Sequence, residues 1–103
     1  MMKNLDEYLE FHEDRFVRKN LFQEGKTTAF LLNFLPGQTI PPHPHPNAHI
    51  YLTVIQGKGT CTIGEKEFFM SQNDMIHCTD EQMLSIENTG NEPLSILCVM
   101  AKD

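Results

Sequence analysis

The sequence predicts an all-β fold, and three observations carry that expectation. Short runs rich in Val, Ile, Thr, Phe and Leu recur from about residue 15 onward. Breaks containing Gly, Asn, Asp or Pro separate them at close intervals, the pattern of a sandwich or barrel. Apolar residues at helical spacing are confined to the first dozen positions.

Asn4-Leu5-Asp6-Glu7 has the form of a helix N-cap followed by an acid three residues later. Leu5, Tyr8, Leu9 and His12 recur at helical spacing, which predicts a short amphipathic helix over residues 5–12 with His12 at its polar edge. Strands are expected over 15–22 and 27–35, flanking the hairpin signal Gln23-Glu24-Gly25-Lys26. Pro36-Gly37 marks a turn. A strand apolar on both faces follows over 48–55, and Gly57 and Gly59 bracket a bend suited to a barrel corner. Residues 60–63 and 67–70 read as strands around a tight turn, and 75–79 and 83–87 as a pair around Asp80-Glu81. Asn88 to Pro93 is a turn-rich loop, and 94–101 is a last strand apolar on both faces. Residues 1–26 carry the helix and first strand and 27–103 the barrel, one domain overall.

Residues 41–49 read Pro-Pro-His-Pro-His-Pro-Asn-Ala-His and hold three of the five histidines. In a β-strand, alternate side chains share a face, so His43 and His45 point the same way with Cα atoms about 7 Å apart. His49 has the same parity in an unbroken strand and would complete three nitrogen donors. In polyproline II, at three residues per turn, the rings would splay and the run would be a stiff loop.

Composition narrows the function classes. The 103 residues carry 8 Lys and Arg against 14 Asp and Glu, a formal net charge of −6, with no basic cluster. A nucleic-acid partner is therefore not expected. No apolar run approaches the roughly 20 residues that span a bilayer, and no signal peptide is read at the N-terminus. Cys61, Cys78 and Cys98 are odd in number and widely spaced. That predicts free, buried thiols in a reducing, cytoplasmic setting rather than a disulfide framework.

Gly37-x5-His43-x-His45-x3-His49, followed by Ile-Tyr-Leu-Thr-Val-Ile-Gln-Gly57, resembles the first motif of the cupins. Asn73-Asp74-Met75-Ile76 through Ile86-Glu87-Asn88 is similar to a degraded second motif, and the resemblance covers roughly residues 30–100. It implies a double-stranded β-helix, or jelly-roll barrel, with ligands inside the barrel mouth, and a homodimer. It also implies a divalent transition metal (Zn, Ni, Fe, Cu or Mn). The family carries Glu after His-x-His. Counted with three intervening residues, that position is His49; counted with four, it is Ile50, which gives the better spacing to Gly57. The first count is preferred, on strand parity. The family's second-motif His falls on Leu84, and His77 is the substitute on offer.

The expected metal ligands are thus His43, His45 and His49, with His77 as an additional candidate. Imidazoles suit Zn, Cu, Fe and Ni, and three ligands leave positions open for water and substrate. Gln38, Tyr51, Thr53 and Met83 are candidate pocket residues, although Met and Tyr at strand spacing are more often ordinary core. Three function classes stay open. The first is a metal-dependent enzyme acting on a small organic substrate, as a dioxygenase, isomerase or decarboxylase. The second is a non-catalytic module that binds or senses a small ligand. The third is a structural role in which the histidines form a proline-stiffened rim.

Overall fold

A computed structural model describes residues 1–79 and 81–102. Nine strands follow a short 3₁₀ turn at Leu5–Tyr8: β1 Val17–Glu24, β2 Thr27–Phe34, β3 Thr39–His43, β4 Ala48–Gln56, β5 Gly59–Ile63, β6 Lys66–Met70, β7 Met75–Cys78, β8 Leu84–Glu87 and β9 Leu94–Lys102. They form two antiparallel sheets, one ordered β1-β2-β9-β4-β7 and the other β3-β8-β5-β6. The all-β jelly-roll expectation is met. No helix among the described residues is long and apolar enough to cross a membrane.

Alternation builds the core. Phe30, Leu32 and Phe34 of β2, Ile50, Leu52 and Val54 of β4, and Ile96 and Cys98 of β9 are buried on the inner face of the larger sheet. Cys61 and Ile63 of β5 and Leu84 and Ile86 of β8 meet them from the smaller sheet. Fully burying one such side chain contributes roughly 1.5–3 kcal/mol, so this interlayer packing is the main force holding the sheets together.

The expected helix over 5–12 shortens to the single turn Leu5–Tyr8, capped by Asn4, whose side chain accepts from Asp6 N at 2.9 Å. Its continuation would need the Tyr8 carbonyl as an acceptor for the next turn. The buried Asn33 side chain takes that carbonyl instead, at 2.8 Å, while its oxygen accepts from Ser95 Oγ at 2.8 Å. A long-range hydrogen bond overrides the local helical pattern. The first strand starts two residues later than expected, at Val17, and a bulge lies between Asn20 and Phe22.

The run from Pro41 to His49 is not one strand. β3 ends at His43, and His45-Pro46-Asn47-Ala48 forms a turn closed by Ala48 N donating to the His45 carbonyl at 3.2 Å. Asn47 has φ 60°. Proline second and a positive-φ asparagine third is the arrangement of a type II turn. The turn resets strand parity before β4 begins at Ala48. Of the turn expected around Asp80-Glu81, Asp80 lies outside the described residues.

Asn88 clasps the end of the barrel. Its Nδ2 donates to the carbonyls of Phe34 (3.0 Å) and Glu92 (2.9 Å), and its Oδ1 accepts from Gly90 N at 3.0 Å. Its backbone exchanges bonds with Gly37 N and the Gln38 carbonyl. Gly57 makes the expected corner with φ +84°, where a Cβ would collide with the Pro93 carbonyl. Only glycine fits there.

Candidate functional site: a two-histidine pocket in the barrel

A cavity of about 310 Å³ opens between the sheets at the end where β3 meets β4. Its body is apolar, with Phe30, Leu32, Leu52 and Ile86 among its walls, and its polar groups are Arg18, His43, His45 and Cys98. No Asp or Glu lines it among the described residues.

The parity reset sorts the histidines into two pairs. His43 ends β3 and His45 follows in the turn; both line the cavity with ring centroids 4.3 Å apart. On β4 the inward positions are Ala48, Ile50, Leu52 and Val54, so His49, Tyr51 and Thr53 face outward. His49 is therefore not brought to His43 and His45, because Pro46-Asn47 breaks the strand whose parity was to join them. His77 pairs across from Tyr51 on β7 and shares that outer face. His49 Nδ1 lies 3.1 Å from His77 Nε2, outside the barrel.

Ile50 and Leu84 stand in the cavity beside the inner pair, and Leu84 lies directly opposite His43 in the β3–β8 ladder. These are the positions where the cupin pattern, counted with four intervening residues, carries Glu and the second-motif His. Both side chains are buried, at 2% and 4% exposure. The four-residue count is thus the one that follows the fold.

The remaining candidates take other roles. The Gln38 side chain accepts from Leu35 N at 2.8 Å and donates to the His12 carbonyl at 2.6 Å, tying the N-terminal segment to the β2–β3 turn. Tyr51 and Thr53 lie on the outer face, and Met83 is 43% exposed and not among the cavity walls. Sequence reasoning missed Arg18. Its guanidinium sits 3.8 Å from the centroid of the Phe30 ring, inside the cavity lining. It pairs with inward-facing Leu32, but counting back from the Gly25 hairpin would have set it opposite Asn33 instead. The bulge after Asn20 defeats that count.

Hydrogen bonding fixes the protons at the mouth. His43 Nδ1 lies 2.9 Å from the Pro41 carbonyl and must donate to it, so in a neutral ring the lone pair is on Nε2. His45 Nδ1 is buried without a partner. Burial, with His43 and Lys102 nearby, holds the His45 imidazole below its usual pKa, so it rests neutral. Burial pushes the Cys98 thiol up, which makes it an inert wall rather than a nucleophile.

A catalytic metal takes three protein ligands. The cavity offers two imidazoles beside two aliphatic side chains, and no cluster of three His, Cys, Asp or Glu occurs among the described residues. The donor set does not fit a resident catalytic metal of that kind.

A family model for the cupin domain matches residues 30–100. A tetracenomycin polyketide synthase protein, TcmJ of Streptomyces glaucescens, is 29% identical over 75 residues, covering 71% of this chain and 50% of its own length. The chain spans about half the length of the curated relatives it matches. The TT1209 structure from Thermus thermophilus superposes with a TM-score of 0.94 at 20% identity, covering 98% of this chain and 96% of that one. A double-stranded β-helix protein from Klebsiella pneumoniae gives 0.91 at 24% identity, covering 98% and 89%. At such identities these structures establish the shared fold alone.

Proposed function

We propose that this chain, which belongs to the cupin domain family, is a small-ligand-binding cupin whose barrel encloses an organic anion with an apolar body. The observation that carries this reading is the cavity itself: about 310 Å³, apolar in its walls, with its polar groups limited to Arg18, two imidazoles and a thiol. Ligand sites are commonly of this make, largely apolar with a few placed polar groups that set orientation. A carboxylate or phenolate oxygen is the complement of Arg18. A ligand hydroxyl within reach of His45 Nδ1 would satisfy that buried, unpartnered nitrogen. An aromatic or alicyclic acid meets these demands. The polyketide-synthase name of one relative is consistent with that class.

Within this cavity the chain's own groups bind and orient. Arg18, held over Phe30 and hydrogen-bonded through Nε to Asn20 Oδ1 at 3.0 Å, presents fixed positive charge. His43 Nε2 and the buried, unpartnered His45 Nδ1 are the ring nitrogens that meet the ligand's polar atoms. The apolar walls exclude water from the ligand's body.

A thermal-shift screen with small aromatic and alicyclic carboxylates and phenols tests the reading. A binder raises Tm in proportion to RT ln(1 + [L]/Kd). The rise should be lost in Arg18→Ala and in Ile50→Phe, which fills the cavity. A screen in which no compound moves Tm, or hits that survive Ile50→Phe, would sink it. The competing reading, a metal-dependent cupin enzyme, rests on His43 and His45. It predicts stoichiometric metal in purified untagged protein that disappears in His43→Ala/His45→Ala.

A further inference from the structure

The outer pair of histidines has no part in the cavity. We propose that His49 and His77 form a separate surface site for one divalent transition-metal ion of the Zn, Ni or Cu class.

The two rings face one another across adjacent strands, with one nitrogen of each turned to the other. His77 of β7 stands across from Tyr51 of β4, and His49 lies two residues before Tyr51 on the same outward face. The two imidazoles are therefore diagonal neighbours on adjacent strands, with His49 Nδ1 3.1 Å from His77 Nε2. Two nitrogens each about 2.0–2.1 Å from one ion, at angles between square-planar and tetrahedral, lie about 2.9–3.4 Å apart. The observed separation falls inside that range. The Tyr51 ring stacks on His77 at 4.8 Å and 18°, and the two imidazoles stand 13° from parallel at 5.3 Å. His77 is held by the Tyr51 ring on its face and by the His49 hydrogen bond at its edge, which reduces the side-chain entropy lost on binding.

The facing nitrogens now share one hydrogen bond, so one of them carries a proton. Moving that proton to the far nitrogen of the same ring leaves two lone pairs facing each other across 3.1 Å, with no net proton change, and a modest turn of the two exposed rings directs both at one ion. No third His, Cys, Asp or Glu joins the pair among the described residues. Water completes the coordination, and imidazole donors select Zn, Ni and Cu over Mg, Ca and Mn. The ion would bridge β4 to β7, an edge strand that pairs with β4 alone.

Binding only to the folded state raises Tm by mass action. The experiment is a melting titration of untagged, chelator-treated protein with Zn²⁺ or Ni²⁺ alone. It compares wild type, His49→Ala/His77→Ala and His43→Ala/His45→Ala. The expected result is a rise of several degrees in wild type and in the inner-pair variant, and none in the outer-pair variant. No rise in wild type, a rise that survives loss of His49 and His77, or a rise abolished only by loss of His43 and His45 overturns the proposal. Histidine side-chain NMR of wild type gives a readout free of variants. His49 and His77 resonances must move first on Zn²⁺ addition, and earlier movement of His43 and His45 overturns the assignment. None of these results bears on the cavity ligand, so this site and that reading stand or fall separately.

Discussion

Replacing Asn88 by alanine removes one side chain that satisfies three backbone groups: the Phe34 carbonyl, the Glu92 carbonyl and Gly90 N–H. Asn88 is 1% exposed, and its bond to Phe34 is buried, so water cannot readily replace that partner. An orphaned buried carbonyl costs about 1–3 kcal/mol. The other two bonds are partly buried, and water can recover some of their loss, which leaves about 0.5–1.5 kcal/mol each. The total is about 2–6 kcal/mol, a large share of the roughly 5–15 kcal/mol that keeps a domain folded. Urea denaturation followed by circular dichroism measures it through the shift in midpoint at constant m-value. Asn88→Asp provides the control for shape: a carboxylate cannot donate to the Phe34 and Glu92 carbonyls, so it should be at least as damaging as alanine at neutral pH. A loss under about 1 kcal/mol for Asn88→Ala would refute the clasp. So would an Asp variant as stable as wild type.

Two further outcomes follow from the cavity. His45 has its pKa lowered by burial, His43 and Lys102, so below about pH 6.5 the unfolded chain binds a proton that the folded chain resists. Stability is then full above that pH and declines as pH falls toward the lowered folded-state value. Melting curves from pH 8 to 5 should show the decline and His45→Gln should flatten it; an unchanged slope in the variant contradicts the assignment. The second concerns Ile50 and Leu84. On a His49→Ala/His77→Ala background, Ile50→Glu/Leu84→His places a carboxylate and a third imidazole beside His43 and His45. The apo protein should be weakened by several kcal/mol through the buried carboxylate, and Zn²⁺ should restore Tm. Absence of any Zn²⁺ response would mean these two positions do not converge on the histidines.

The fold was legible because a jelly roll rests on short alternating runs and turn residues, and these are local signals. Gly25 at the first hairpin (φ 57°), Gly57 at the corner (φ +84°) and Gly64 at the β5–β6 turn (φ 60°) all stand where the chain turns. The helix over 5–12 failed because its fate depends on Asn33, 25 residues beyond Tyr8. At the site, His43 and His45 do line one cavity, although His45 lies in the turn after β3 and not on the strand whose alternation was to pair them. His49 was placed wrongly because parity was carried through Pro46-Asn47, although that dipeptide is itself a turn signal. Reading the turn would have returned Ile50 to the inward position and His49 to the outer face. Tyr51 and Thr53 left the pocket for the same reason. Arg18 escaped notice because a bulge separates it from its hairpin, and Leu84 was recognised only as the place of a missing histidine.

The most direct test of the central claim is a ligand titration on protein stripped of metal. The best carboxylate or phenol from the thermal-shift screen is titrated by calorimetry into chelator-treated wild type, then again with one equivalent of Zn²⁺, Ni²⁺ or Fe²⁺ added back. The two-histidine cavity predicts binding to the metal-free protein, unchanged by the added ion and lost in His43→Ala/His45→Ala. Binding that appears only when the ion is present would contradict the account and return the cavity to a metal centre.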